Sequence, residues 1–193
     1  MRRLLFLVTV LLTGCATVPP PARPGLDWQA RLADAEALGE WRMTGRVAVV
    51  VGEDGGSAAV DWHQAAGVSD VALTGPLGVG SLRAVFDGGG LLLEDGHGDR
   101  LRDAEAEAVL YARLGAPVPF DHLRYWLLGA PAPGERFQPS PQASAEAGFE
   151  QSGWAVAFSR FEPVEERLLP ARLTVSREGT RVKLVVTRWD LQP

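Results

Sequence analysis

From Trp41 onward the side chains alternate. Trp41, Met43, Gly45, Val47, Val49 and Val51 fall on one face of an extended chain, and Arg42, Thr44, Arg46, Ala48 and Val50 fall on the other. A period of two marks a half-buried strand. After the run Gly52-Glu53-Asp54-Gly55-Gly56, which reads as a turn, Ala58, Val60 and Trp62 alternate with Ala59, Asp61 and His63, so a hairpin is expected. Residues 68–74, 81–86 and 91–94 continue the series, with turns at Gly88-Gly89-Gly90 and Gly96-His97-Gly98. Near the C-terminus, 153–160, 172–177 and 181–189 alternate again, with Trp154, Val156 and Phe158 inward. Such a series of about ten or eleven short strands joined by tight turns is antiparallel.

Four stretches break the period. Residues 28–38 carry Trp28, Leu32 and Ala35 at helical spacing, with Asp27 placed to cap and Gly39 to terminate. Residues 103–114 read as a second helix capped by Asp103, and 119–128 as a third closed by Gly129. Residues 130–148 are rich in Pro, Ala, Gly and Ser and read as a long loop. The expected fold is mainly β with α: a strongly curved antiparallel sheet with helices against its concave side.

A chain of 193 residues suggests one domain able to bury a real core. The formal net charge of −5 argues against a non-specific nucleic-acid binder, which shows a basic footprint. One cysteine, Cys15, permits no internal disulfide and no Cys-based zinc cluster. His63, His97 and His122 match no metal-ligand spacing, and there is neither a GxSxG elbow nor a Walker loop. Asp103, Glu105 and Glu107 sit in a first helical turn, where they oppose the macrodipole. No Ser/His pair stands out. No catalytic residue, metal or cofactor is therefore assigned, and the expectation is a protein that is not an enzyme.

The N-terminus is more informative. Met1-Arg2-Arg3 precedes an apolar run from Leu4 to Leu12, too short to span a bilayer and ordered as in a secretory signal. Its ending, Leu12-Thr13-Gly14-Cys15, resembles a bacterial lipobox. That divides the chain into a signal peptide (1–14), a Pro-rich tether lipidated at Cys15 (15–25) and a single domain (26–193). In such signals Ala16, rather than Asp, favours the outer membrane.

Two features ask for an apolar partner. The loop Gly75-Pro76-Leu77-Gly78-Val79-Gly80 places Leu77 and Val79 on a turn where polar tips are usual. The six tryptophans could leave an apolar hollow between sheet and helices, with Trp62, Leu73, Leu82, Phe86, Trp126 and Trp154 as candidate lining. Arg46, among apolar strand residues, either pairs with a carboxylate or faces solvent.

Several of these motifs line up in order: Trp41 with Gly45-Arg46-Val47-Ala48, Asp61-Trp62, Leu73-Thr74-Gly75-Pro76-Leu77-Gly78, Leu123-Arg124-Tyr125-Trp126-Leu127-Leu128-Gly129, Phe149 to Trp154, Leu169-Pro170, Arg181 to Leu184, and Trp189. The set resembles the LolB family of outer-membrane lipoproteins over nearly the whole chain after Cys15. The resemblance implies an open, incomplete antiparallel β-barrel of about 11 strands, with helices lidding a hydrophobic cavity. It implies that lipoproteins are accepted by their acyl chains from the periplasmic carrier LolA and inserted into the inner leaflet of the outer membrane. Phospholipid would be the acceptor, Leu77 with help from Val79 would serve delivery, and the protein would act as a monomer without cofactor. The competing reading is a structural, envelope-assembly lipoprotein that binds protein partners only.

Overall fold

The computed structural model describes residues 26–78, 80–114, 117–140 and 147–192. Its eleven strands are β1 (Trp41–Val51), β2 (Asp54–Ala65), β3 (Val68–Thr74), β4 (Ser81–Phe86), β5 (Leu91–Asp95), β6 (Arg100–Arg102), β7 (Phe137–Pro139), β8 (Ala147–Gln151), β9 (Trp154–Val164), β10 (Arg167–Arg177) and β11 (Thr180–Asp190). They form one sheet in the order β6-β5-β4-β3-β2-β1-β11-β10-β9-β8-β7. Every pairing is antiparallel. The chain walks outward from β1 to one edge at β6. It crosses through helices α2 (Asp103–Leu114) and α3 (Phe120–Leu127), then re-enters at the opposite edge, β7. The sheet does not close on itself: the two helices span the gap between its edges. This is an open, incomplete barrel.

One long-range pairing, β1 with β11, joins the outgoing and returning halves. The register shifts between Thr44 and Gly45, where β11 comes closest. A Cβ at Gly45 would run into the Val185 carbonyl oxygen and lie 3.1 Å from the Val186 Cα. Only glycine allows that approach.

The core fills one end of the curl. Trp41, Met43, Trp126, Phe149, Phe158, Leu93 and Leu173 are all at most 2% exposed. Trp41 stacks on Trp62 at 6.1 Å and meets Trp189 edge-on at 5.5 Å. The first helix, α1 (Trp28–Ala37), is capped as its sequence asks: Asp27 Oδ1 accepts from the Gln29 and Ala30 amides at 3.0 and 3.1 Å. Its Trp28 packs on Phe149 and Phe137, at 5.2 and 6.3 Å. Its Arg31 donates to the Gly129, Leu128 and Leu168 carbonyls at 2.6, 3.0 and 3.0 Å, tying α1 to the end of α3 and the start of β10. Burial pushes that guanidinium below its ordinary value, with Asp34 opposing.

Four local expectations change. Residues 130–148 hold strand β7 and the start of β8, rather than a continuous loop. Three residues with Pro139 at the end suit only an edge, where the missing amide faces no ladder partner. β6 is equally short and had no legible alternation. β9 and β10 extend further than expected, to Val164 and back from Arg167, because polar Arg160, Glu162 and Arg167 occupy an exposed hairpin arm. Asp103 does not cap α2 through its own helix amides. It has φ 47° and its Oδ1 accepts from the Leu91 amide at 3.2 Å, pinning α2 to β5.

Gly45→Ala is expected to destabilise the fold by about 1–3 kcal/mol, because the shifted β11 cannot keep its ladder. Gly39→Ala, where an added Cβ meets nothing within 4 Å, serves as control. Urea unfolding of both variants checks this, with the midpoint lowered for Gly45→Ala alone.

Candidate functional site

Between the concave side of the sheet and the two crossing helices lies a cavity of about 210 Å³. The alternation of each strand supplies its wall: Met43, Val47 and Val49 from β1, Val60 and Trp62 from β2, Val71 and Leu73 from β3, Trp154 from β9, Leu173 and Val175 from β10, Val182 and Leu184 from β11. Leu110 and Leu114 of α2, Phe120, Leu123, Trp126 and Leu127 of α3, and Val118 and Pro119 between them close it from above. Every lining residue is apolar.

A second hollow of about 350 Å³ shares Val47, Val49, Leu73 and Leu114 with the cavity and continues to Val51, Asp54, Gly55, Gly56, Ser57, Ala58 and Arg113 at the β1–β2 hairpin. Small side chains there leave the shared apolar wall uncovered. The same end carries the loop after β3. There the Gly75 amide donates to the Gly80 carbonyl at 2.8 Å, and Pro76–Gly78 forms a single 3-10 turn. Because Thr74 pairs with Ala59, this loop stands beside the hollow's rim. The Leu77 side chain, Val79 and Cys15 lie outside the described residues.

The helical cover is held by polar contacts at its flank. Gln151, 2% exposed, accepts from the Trp126 indole at 2.9 Å and the Ala132 amide at 2.8 Å, and donates to the Ala132 carbonyl at 2.8 Å. One amide side chain thus fixes the C-terminal half of α3 and the segment after it. Beside it, Ser152, His122 and Glu135 meet, a grouping not legible in the sequence because its members come from three separate elements. Ser152 Oγ donates to Glu135 Oε2 at 2.5 Å and lies 3.1 Å from His122 Nδ1. The group forms a latch between α3, the segment after it and the β8–β9 hairpin.

Trp62, Leu73, Trp126 and Trp154 stand on the cavity wall. Leu82 and Phe86 do not. Leu82 pairs with Leu73 across β3 and β4 and is packed against the core. Phe86 stacks on Phe120 at 5.5 Å, so the first turn of α3 fills the space that Phe86 would otherwise face. Arg46 is exposed and faces solvent. The wall also takes Leu173, Val175, Val182 and Leu184, whose inward parity was readable from β10 and β11, and Leu110 and Leu114, which were not singled out because α2 has a weakly segregated apolar face.

The family model described as "Outer membrane lipoprotein LolB" matches residues 39–189. The chain belongs to the LolB family. It is 34% identical over 191 residues to an outer-membrane lipoprotein LolB of Alkalilimnicola ehrlichii, covering 97% of this chain and 95% of that one. It is 31% identical over 195 residues to another of Ectopseudomonas mendocina, with the same coverage. Among solved structures, a LolA superfamily protein from Nitrosomonas europaea superposes with a TM-score of 0.53 at 10% identity, covering 88% of this chain and 95% of that one. A DUF1329 family protein from Desulfovibrio piger gives 0.54 at 8% identity, covering 84% and 90%. At such identities the two structures share the fold. The LolB family match begins after α1, so it spans all eleven strands and both helices over the cavity.

Gln151→Leu is expected to cost about 3 kcal/mol, because the Trp126 indole and both Ala132 backbone groups lose their partner while still buried. Chemical denaturation measures the loss. Hydrogen exchange is expected to show α3 amides losing protection before those of β1 and β11.

Proposed function

We propose that this protein is an outer-membrane lipoprotein that takes other lipoproteins from the periplasmic carrier LolA into its apolar cavity and inserts them into the inner leaflet of the outer membrane. The all-apolar cavity under two helices, in a chain of the LolB family, carries the reading. Its own anchor would be the lipid on Cys15, with residues 15–25 as the tether and 26–193 as a single acyl-chain-binding domain. It would work as a monomer at the periplasmic face, without covalent chemistry.

Physical chemistry supports a cavity for this task. Each buried CH₂ is worth about 0.8 kcal/mol, so a 16-carbon chain is worth roughly 12 kcal/mol. Exposed chains could not cross water at a useful rate, and a protein hollow removes that cost. Transfer without an energy source then needs a descending order of free energy: carrier, receptor, membrane. A step of about 1.4 kcal/mol biases each exchange tenfold. The loop bearing Leu77 and Val79 would enter the bilayer and present the nearby hollow to it. There an exposed leucine gains about 1–2 kcal/mol.

The decisive experiment mixes LolA loaded with a labelled triacylated lipoprotein with liposomes that contain the full-length acylated protein. Cargo is expected to move to the receptor and then into the bilayer. A folded protein that takes none would leave a protein-binding, envelope-assembly role. Val175→Trp, which fills the cavity, is expected to lower acceptance at least about tenfold, while circular dichroism stays unchanged. Leu77→Glu is expected to leave acceptance intact and slow the release into liposomes. Equal loss of both steps would remove the loop's assigned role.

A further inference from the structure

One region of the sheet's outer face carries charge that the fold does not use. Val47, Val49, Leu173, Val175, Val182 and Leu184 line the cavity, so the residues between them point to the opposite side of the sheet. There β1, β11 and β10 lie side by side, and their cross-strand partners form three rows: Arg46–Val185–Arg172, Ala48–Lys183–Thr174 and Val50–Arg181–Ser176. Arg46, Arg172, Arg181 and Lys183 are exposed, as are Val50 at 45% and Val185 at 38%. Arg160 of β9 stands directly opposite Arg172, and like charges so placed destabilise a sheet.

The other half of the sheet treats its cations differently. Arg42 is forked onto Asp61 at 2.8 and 2.5 Å, Arg83 onto Asp70 at 2.8 and 2.6 Å, and Arg100 reaches Glu94 at 2.9 Å. Among the described residues, Arg46, Arg172, Arg181 and Lys183 have no ion-pair partner. Nearby carboxylates are already bonded or set apart. Arg160 holds Glu162 at 2.7 Å, Glu150 lies two strands beyond β10, and Glu53, Asp54 and Glu178 sit past the rows at the hairpin ends. A chain of formal charge −5 thus gathers four unneutralised cations on one face.

The three rows hold no aromatic residue and only small side chains between their charges, so they lack the anchors on which protein interfaces depend. Cations on neighbouring strands, with two exposed valines among them, suit a surface whose charged groups can move to meet them. The position fits as well. Ala59 pairs with Arg46 on one side and Thr74 on the other, so the loop of residues 75–80 leaves the sheet two strands from the rows. Val47 and Val49, on the inner side of β1, line the second hollow.

We infer that the outer face of β1, β11 and β10 is a docking surface for anionic phospholipid headgroups. The assignment rests on the proposed delivery role, and adds to the Leu77 loop an electrostatic contact that sets how the protein leans on the bilayer.

The test uses the acylated protein with a fluorophore on Thr174→Cys; lipidation occupies the Cys15 thiol and leaves the introduced one for the label. It is reconstituted in vesicles of phosphatidylcholine, or of phosphatidylcholine mixed with phosphatidylglycerol, each with a headgroup-linked quencher. Quenching is expected in the mixed vesicles and is expected to fade as salt rises, with little in the neutral ones. Each of Arg46→Gln, Arg172→Gln, Arg181→Gln and Lys183→Gln is expected to weaken the contact about fivefold at low salt. Quenching that is equal in both vesicles and insensitive to salt overturns the inference. No quenching in mixed vesicles, with slower acceptance from LolA when all four changes are combined, overturns it in favour of an acidic protein partner. Cargo delivery without quenching removes the headgroup contact and keeps the receptor reading. Quenching confined to mixed vesicles without delivery to either keeps the contact and removes that reading. If a variant does not fold, the salt and lipid dependence of the parent decides alone.

Discussion

A sheet of eleven strands that stops short of closing must solve two problems at once. Its edges at β6 and β7 need protection, and its concave side is too broad for strand side chains alone to fill. The chain answers both with the same segment. α2 and α3 run from one edge to the other, so the connection that bridges the gap is also the second layer of the core. Because they are only 12 and 8 residues long, they cover the hollow without filling it. The cavity is therefore a consequence of topology. Closing the sheet or lengthening the helices would abolish it.

The cover is fixed unevenly. At the C-terminal end of α3 the cover is held by the buried Gln151 amide, the half-buried Arg31 guanidinium on the Gly129 carbonyl, and the Gly129 turn itself, with φ 80°. Farther along, the Ser152–Glu135–His122 latch is exposed, and such contacts are worth little against water and salt. Between the ends, the Thr180 hydroxyl donates to the Leu114 carbonyl at 2.7 Å and ties the end of α2 to β11, and the remaining cover meets the cavity wall through apolar side chains.

How much of this was written in the sequence depends on the kind of signal. Trp62 and Leu73 reach the cavity because strand parity determines facing, and parity is local. Phe86 obeys the same parity and still misses it, because whether an inward side chain meets space or another ring depends on Phe120, distant in sequence. β6 and β7 were unreadable because three residues carry no period. The Asp103 bond to Leu91 and the meeting of Ser152, His122 and Glu135 are properties of the assembled fold, and each spends a polar group on a partner that no spacing rule connects.

A receptor that must also release has to keep its polar grip small. Burial of hydrocarbon is offered equally by a carrier's cavity, by this one and by a bilayer, so it cannot by itself set a direction of transfer. Differences come from the few groups that are not hydrocarbon. A wall with many donors would hold a carbonyl-bearing cargo by several kcal/mol and compete with the membrane. A wall with none, as here, leaves the cargo no polar hold to break on release.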